Sequence, residues 1–92
     1  GERVWPFPLD TDYDKGLASS IADVKQCAED GAADHILAAR FLRRFIHNDT
    51  PWVHLDLASA MVKGGLAHVP GDSTGFGVRF TLNLLLEQKL LR

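Results

Sequence analysis

A single cysteine, Cys27, is all that the 92 residues contain. One thiol excludes an internal disulfide framework and any cysteine-based zinc site, and it makes a reducing compartment the simpler expectation. No window reaches about 18 apolar residues, so no segment reads as membrane-spanning. The opening GERVWPFPLD lacks the apolar core of a signal peptide and is interrupted by Pro6 and Pro8. Tracts of one charge are missing too. Ten Lys and Arg stand against twelve Asp and Glu, a net charge of −2 that offers no global pull toward nucleic acid or an anionic membrane. What is present is ordinary for a globular chain, 46% hydrophobic and 24% charged. Length argues for one domain or part of one, with a cytoplasmic location expected.

Periodicity divides the chain into alternating elements. Residues 1–9 read as extended, because each proline biases its predecessor away from helix. Asp10 or Thr11 caps a short helix over 11–19, with Asp12 and Asp14 in its first turn, a thin stripe of Leu9, Tyr13 and Leu17, and Gly16 weakening it. Ser20–Lys25 alternates as a short strand or an extended crossing segment would, and 27–34 is a loop ending on Asp34 as a cap. HILAARFLRRFIHN, residues 35–48, is the clearest helix of the upstream half. Leu37, Phe41 and Phe45 repeat beside Ala38, Leu42 and Ile46, and Arg40, Arg43 and Arg44 point away. Trp52–Leu57 is a strand, 58–73 a long loop, and Thr74 caps a final helix over 75–91. About three helices and two short strands give an α/β pattern. Two strands make only a marginal sheet by themselves, so they are expected to join a larger one.

Several residues invite chemistry. His54 and Asp56 share one strand face about 6.6 Å apart. A catalytic zinc site wants a third ligand, and the other histidines, His35, His47 and His68, show no paired spacing. The plainer reading makes His54 and Asp56 internally satisfied groups that orient the following loop. Ser59 has the opposite parity on that strand, and no nucleophile elbow surrounds it, which argues against a catalytic triad. Gly71–Gly77 opens a helix as phosphate loops do, but lacks the Lys-Ser/Thr ending; its glycines suit a tight turn. Arg40, Arg43 and Arg44 form a small basic patch with no interleaved aromatics on their face, read as a solvated or subunit-facing edge. Asp23 reads as structural and Cys27 as inert. No complete catalytic constellation is found within the chain.

Read in order, its words resemble those of the leucyl aminopeptidases, the cytosol aminopeptidase family of two-metal exopeptidases. Gly1-Glu-Arg-Val-Trp5 resembles the family's G-[DE]-[RK]-x-W, and Pro8-Leu9 with Tyr13 its P-L-x-x-x-Y. Ile21-Ala-Asp23 and Ala38-Ala-Arg-Phe-Leu42 resemble its x-A-D and A-A-x-F-L words. Pro51-Trp-Val-His-Leu-Asp-Leu-Ala58 resembles W-x-H-[LM]-D-[IL]-A, and Thr74-Gly-Phe-Gly-Val-Arg79 resembles T-G-x-x-x-R. Lys25 and Gln26 depart from a usual Asn, and Ser59 from the glycine that usually follows Ala58.

The resemblance implies the C-terminal part of a helix-sheet-helix layered metallo-exopeptidase catalytic domain, with residues 1–92 incomplete as a domain. It implies a hexameric enzyme that removes N-terminal, preferably apolar, residues from peptides with two divalent ions, Zn or Mn. The family's metal ligands, a lysine, three aspartates and a glutamate, and its catalytic Lys and Arg have no counterpart here and are expected upstream of Gly1. No metal ligand and no catalytic residue is therefore assigned to this chain, and the segment by itself is expected to be inactive. By the same resemblance Ala58 and Met61 line the pocket for the substrate's first side chain: a small residue leaves room and a thioether adapts to varied apolar groups. The alternative is a stand-alone binding or assembly module that keeps the scaffold without catalysis.

Overall fold

The computed structural model describes residues 2–88, which divide into two compact units: residues 6–55, and residues 2–5 with 56–88.

The unit of residues 6–55 is built on a 3₁₀ helix, Thr11–Leu17, and an α-helix, α1, Asp34–Arg43. The first was expected as an α-helix over 11–19. Asp10 enters it extended without a side-chain cap, and Tyr13 N–H bonds back only three residues, to the Asp10 carbonyl at 3.3 Å. A thin apolar stripe and Gly16 leave little to favour the longer-range α bonds, so the tighter helix results. Its payload is Leu17, 1% exposed, in a core with Ile36, Leu37 and Ala39 of α1. Gly16 permits the approach, since a Cβ there would lie 3.1 Å from Leu37 Cδ2.

α1 starts one residue earlier than expected. Ala33, in the left-handed region at φ 56°, supplies the carbonyl that Leu37 N–H reaches at 2.9 Å, and Asp34 is the first helical residue rather than the cap. The helix also ends sooner than residue 48. Arg44, Phe45 and Ile46 donate to carbonyls three residues back, and Arg43 Nη1 donates to the Ile46 carbonyl at 3.1 Å, satisfying a terminal acceptor. The buried face is correspondingly narrower than the predicted stripe: Leu42 and Phe45 are exposed, and Phe45 meets Phe41 edge-on at 5.2 Å between ring centres.

Neither predicted strand forms a ladder among the described residues. Ser20–Lys25 is bent because Ser19 Oγ accepts from Ile21 N–H at 3.2 Å and Ala22 N–H at 3.0 Å, a local turn that competes with extension. Trp52–Leu57 forms neither helix, turn nor β-bridge among the described residues. The two short strands thus stand uncorroborated: a strand needs a neighbouring strand to complete its bonding, and none lies alongside among the described residues.

The unit of residues 2–5 with 56–88 carries a second α-helix, α2, Val78–Leu82, which runs into a π-helical turn, Asn83–Glu87. The predicted helix over 75–91 is therefore shorter at its start, and its last residues, from 89, lie outside the described residues. The preceding loop is pinned by isolated antiparallel bridges, Met61 with Ser73 and Leu66 with Val69. Gly65 makes the tight turn possible: its φ is +90°, and a Cβ there would lie 2.1 Å from the Val69 carbonyl oxygen.

Candidate functional site

The loop that follows Trp52–Leu57 holds both residues assigned to a substrate pocket, Ala58 and Met61. Both are exposed, Met61 at 68%. Residues 72–74 brace this loop. Val62 N–H donates to the Asp72 carbonyl at 2.8 Å, and Gly64 N–H to Asp72 Oδ1 at 2.8 Å. Thr74 N–H donates to the Ala60 carbonyl at 3.0 Å. The Thr74 hydroxyl donates to the Ser59 carbonyl, with the Ala60 carbonyl 3.3 Å away, and accepts from Phe76 N–H at 3.2 Å.

Thr74 was expected to cap the final helix. It does not, because the helix begins four residues later, at Val78. The cap comes from a distant residue that the sequence reading missed. Glu2 accepts from Gly77 N–H through Oε1 at 3.0 Å and from Phe80 N–H through Oε2 at 2.9 Å. A carboxylate at the positive end of the helix satisfies two amides that the helix itself cannot. Gly77, at φ 94°, lets Leu57 pack close, since a Cβ there would lie 3.0 Å from Leu57 Cδ1. The Gly71–Gly77 stretch is thus a tight turn, and the anion its last amide meets is the chain's own Glu2. The only sequence signal for this was the acidic second position of the opening word.

Beside the braced loop lies an open cavity of about 700 Å³, with Ser59, Leu66, Phe76, Arg79 and Leu82 in its wall. Ala58 and Met61 are not among its lining residues.

His54 is half-buried beside Trp52, ring centres 5.9 Å apart, and its Nε2 is buried with no hydrogen-bond partner among the described residues. The expectation that His54 is internally satisfied fails at that nitrogen. Arg40 is also unlike its reading as an outward-pointing arginine. Its Nε and Nη2 donate to Asp14 Oδ1 and Oδ2 at 2.7 and 2.8 Å, and Nη1 to the Leu9 carbonyl at 3.2 Å. These bonds hold the Asp14 carboxyl below its usual value, against the opposing effect of burial, and raise that of Arg40. Cys27 is exposed. No helix of the described residues is long and apolar enough to cross a membrane.

Comparison with known proteins gives the class to which these ordered sequence words belong. Residues 1–82 match the cytosol aminopeptidase family, catalytic domain, and the chain belongs to that family of hydrolases, whose catalytic domain is α/β. Over 90 residues, 97% of this chain, it is 46% identical to the probable cytosol aminopeptidase 1 of Shewanella oneidensis. Over 81 residues, 86% of the chain, it is 51% identical to the probable cytosol aminopeptidase of Ehrlichia ruminantium strain Gardel. Over 91 residues, 98% of the chain, it is 43% identical to that of Cereibacter sphaeroides. The aligned residues span 18%, 16% and 18% of those relatives' own lengths, so the chain corresponds to less than a fifth of each. No solved structure matches it significantly.

The family is generally metal-dependent. The described residues do not fit a resident metal: no three of their His, Cys, Asp and Glu side chains converge in a group that could hold an ion. No step through a metal follows from them.

Proposed function

We propose that this chain is the C-terminal part of a metal-dependent leucyl aminopeptidase that releases N-terminal, preferably apolar, residues from peptides. The observation that carries the reading is near-complete alignment, 97% of the chain, with a relative named a probable cytosol aminopeptidase. In this reading the two metal ions, Zn or Mn, and the catalytic Lys and Arg come from the rest of the enzyme. This segment supplies scaffold and one wall of the pocket for the substrate's first side chain, through Ala58 and Met61. The enzyme works in the cytoplasm as a hexamer.

Two structural facts support a scaffold role. Large apolar side chains including Trp5, Ile21, Phe45, Val53 and Leu57 are exposed, surface that a larger assembly would cover. His54 Nε2 is buried with no hydrogen-bond partner among the described residues, a cost that a rearranged packing in a larger assembly would relieve. The deciding experiment is the intact mass of the natural polypeptide carrying this sequence. The expected result is several times 10.1 kDa. A mass near 10.1 kDa would replace the enzyme reading with a stand-alone binding or assembly module.

A further inference from the structure

We infer that Thr74 is a positioning residue that sets the side-chain preference of the substrate pocket by fixing two of the three peptide groups between Ala58 and Met61, those that carry the Ser59 and Ala60 carbonyls. The inference rests on the proposed aminopeptidase reading. Thr74 is the buried polar residue among those described, 9% exposed, and it sits behind a loop whose own pocket residues face outward. Its three bonding functions all serve that loop or its support. The hydroxyl proton goes to the Ser59 carbonyl, with Ala60 O close at 3.3 Å, and the amide goes to Ala60 O at 3.0 Å. The hydroxyl oxygen accepts from Phe76 N–H at 3.2 Å, which ties the same atom to the turn that starts α2.

Ser59 and Ala60 are the two residues that separate Ala58 from Met61. The orientation of their peptide planes therefore sets where the Ala58 methyl and the Met61 thioether stand relative to each other. A hydroxyl has one proton, so removing it frees the Ser59 carbonyl and withdraws the acceptor from Phe76 N–H together. The Ala60 carbonyl stays tied through the Thr74 amide, so the loop keeps its overall path and loses its local orientation. An apolar pocket separates substrates that differ by one methylene, so a small movement of its wall changes the ranking of substrates more than it changes turnover of any one.

The test uses the full natural polypeptide with its metal, and the kcat/KM values for leucyl and alanyl p-nitroanilides. Thr74→Val keeps the shape and removes the hydroxyl; Thr74→Ser keeps the hydroxyl; Thr74→Cys is a weaker donor of similar size. The leucyl-to-alanyl ratio is expected to change by about fivefold or more in Thr74→Val, to stay within about twofold in Thr74→Ser, and to fall between in Thr74→Cys. If the Val variant does not fold, the Ser and Cys variants still form the series. An unchanged ratio in a folded variant lacking the hydroxyl, even with lower stability or lower overall activity, overturns the inference. Met61→Ala separates the two readings. A shifted ratio there with none at position 74 refutes the role of Thr74 alone, whereas no shift in either variant removes the pocket assignment and the inference with it. A wild-type polypeptide that hydrolyses neither substrate overturns the aminopeptidase reading itself.

Discussion

Removing the Asp14–Arg40 pair should loosen the 3₁₀ helix from α1 by an amount the geometry bounds. The pair is bidentate, at 2.7 and 2.8 Å, with side chains 13% exposed for Arg40 and 32% for Asp14. Fully exposed pairs contribute about 0.2–1 kcal/mol, and buried hydrogen bonds to charged groups about 1.5–3 kcal/mol. A third of Asp14 remains in water, so a coupling energy of about 1–2 kcal/mol is expected. The assay is a double-mutant cycle of Asp14→Asn and Arg40→Gln by urea unfolding at neutral pH. Arg40→Gln should cost more than Asp14→Asn, because it also surrenders the bond to the Leu9 carbonyl. The pH dependence has a definite sign. Asp14 is depressed below 3.8 in the folded chain, so its contribution is fully present above that ordinary value and is lost as pH falls through the lower folded one. The gap between wild type and Asp14→Asn should therefore close only in that acidic range. A coupling below about 0.3 kcal/mol, or a gap that closes at mildly acidic pH, would refute the reasoning.

Glu2→Gln should destabilise the start of α2 by about 0.5–2 kcal/mol, since it withdraws the charge from two helix-terminal amides; faster hydrogen exchange at Gly77 and Phe80 is the check, and unchanged exchange would contradict it. Gly65→Ala should cost more than about 2 kcal/mol, because a positive φ and a carbonyl oxygen 2.1 Å from the new Cβ act together; a melting temperature equal to wild type would disprove the tight turn. The isolated 92-residue chain, with Trp5, Ile21 and Phe45 exposed, should self-associate as its concentration rises. Sedimentation velocity reads this directly, and a concentration-independent monomer would speak against a covered surface.

Local patterns were legible where local forces decide the outcome. The apolar repeat through Leu37 gave α1, although of that stripe only Leu37 is buried and its core partners Ile36 and Ala39 lie outside it, and the glycines of 64–77 gave the turns. Boundaries were less legible. The helix after Thr74 begins at Val78 because its cap is Glu2, and a bond across 75 positions leaves no trace in local spacing. Arg40 looked like its neighbours Arg43 and Arg44, but Arg40 is the one seen to form a bidentate pair with Asp14 among the described residues, with Arg44 adding only a weaker attraction. Ser20–Lys25 alternated like a strand, and the Ser19 hydroxyl turned it instead. Trp52–Leu57 has strand composition, but pairing depends on a neighbour that composition does not reveal. For the proposed pocket, the ordered words pointed to Ala58 and Met61, whereas the bonds from Thr74 to the Ser59 and Ala60 carbonyls had no signal in local spacing.

The most direct measurement is leucyl amide hydrolysis by the purified natural polypeptide that carries this sequence, supplied with Mn or Zn, alongside the 92-residue chain alone. Metal-dependent turnover by the former and none by the latter is the expected result. Clear turnover by the short chain, or none by the natural polypeptide, would contradict the assignment of this segment to the scaffold and pocket wall of an aminopeptidase.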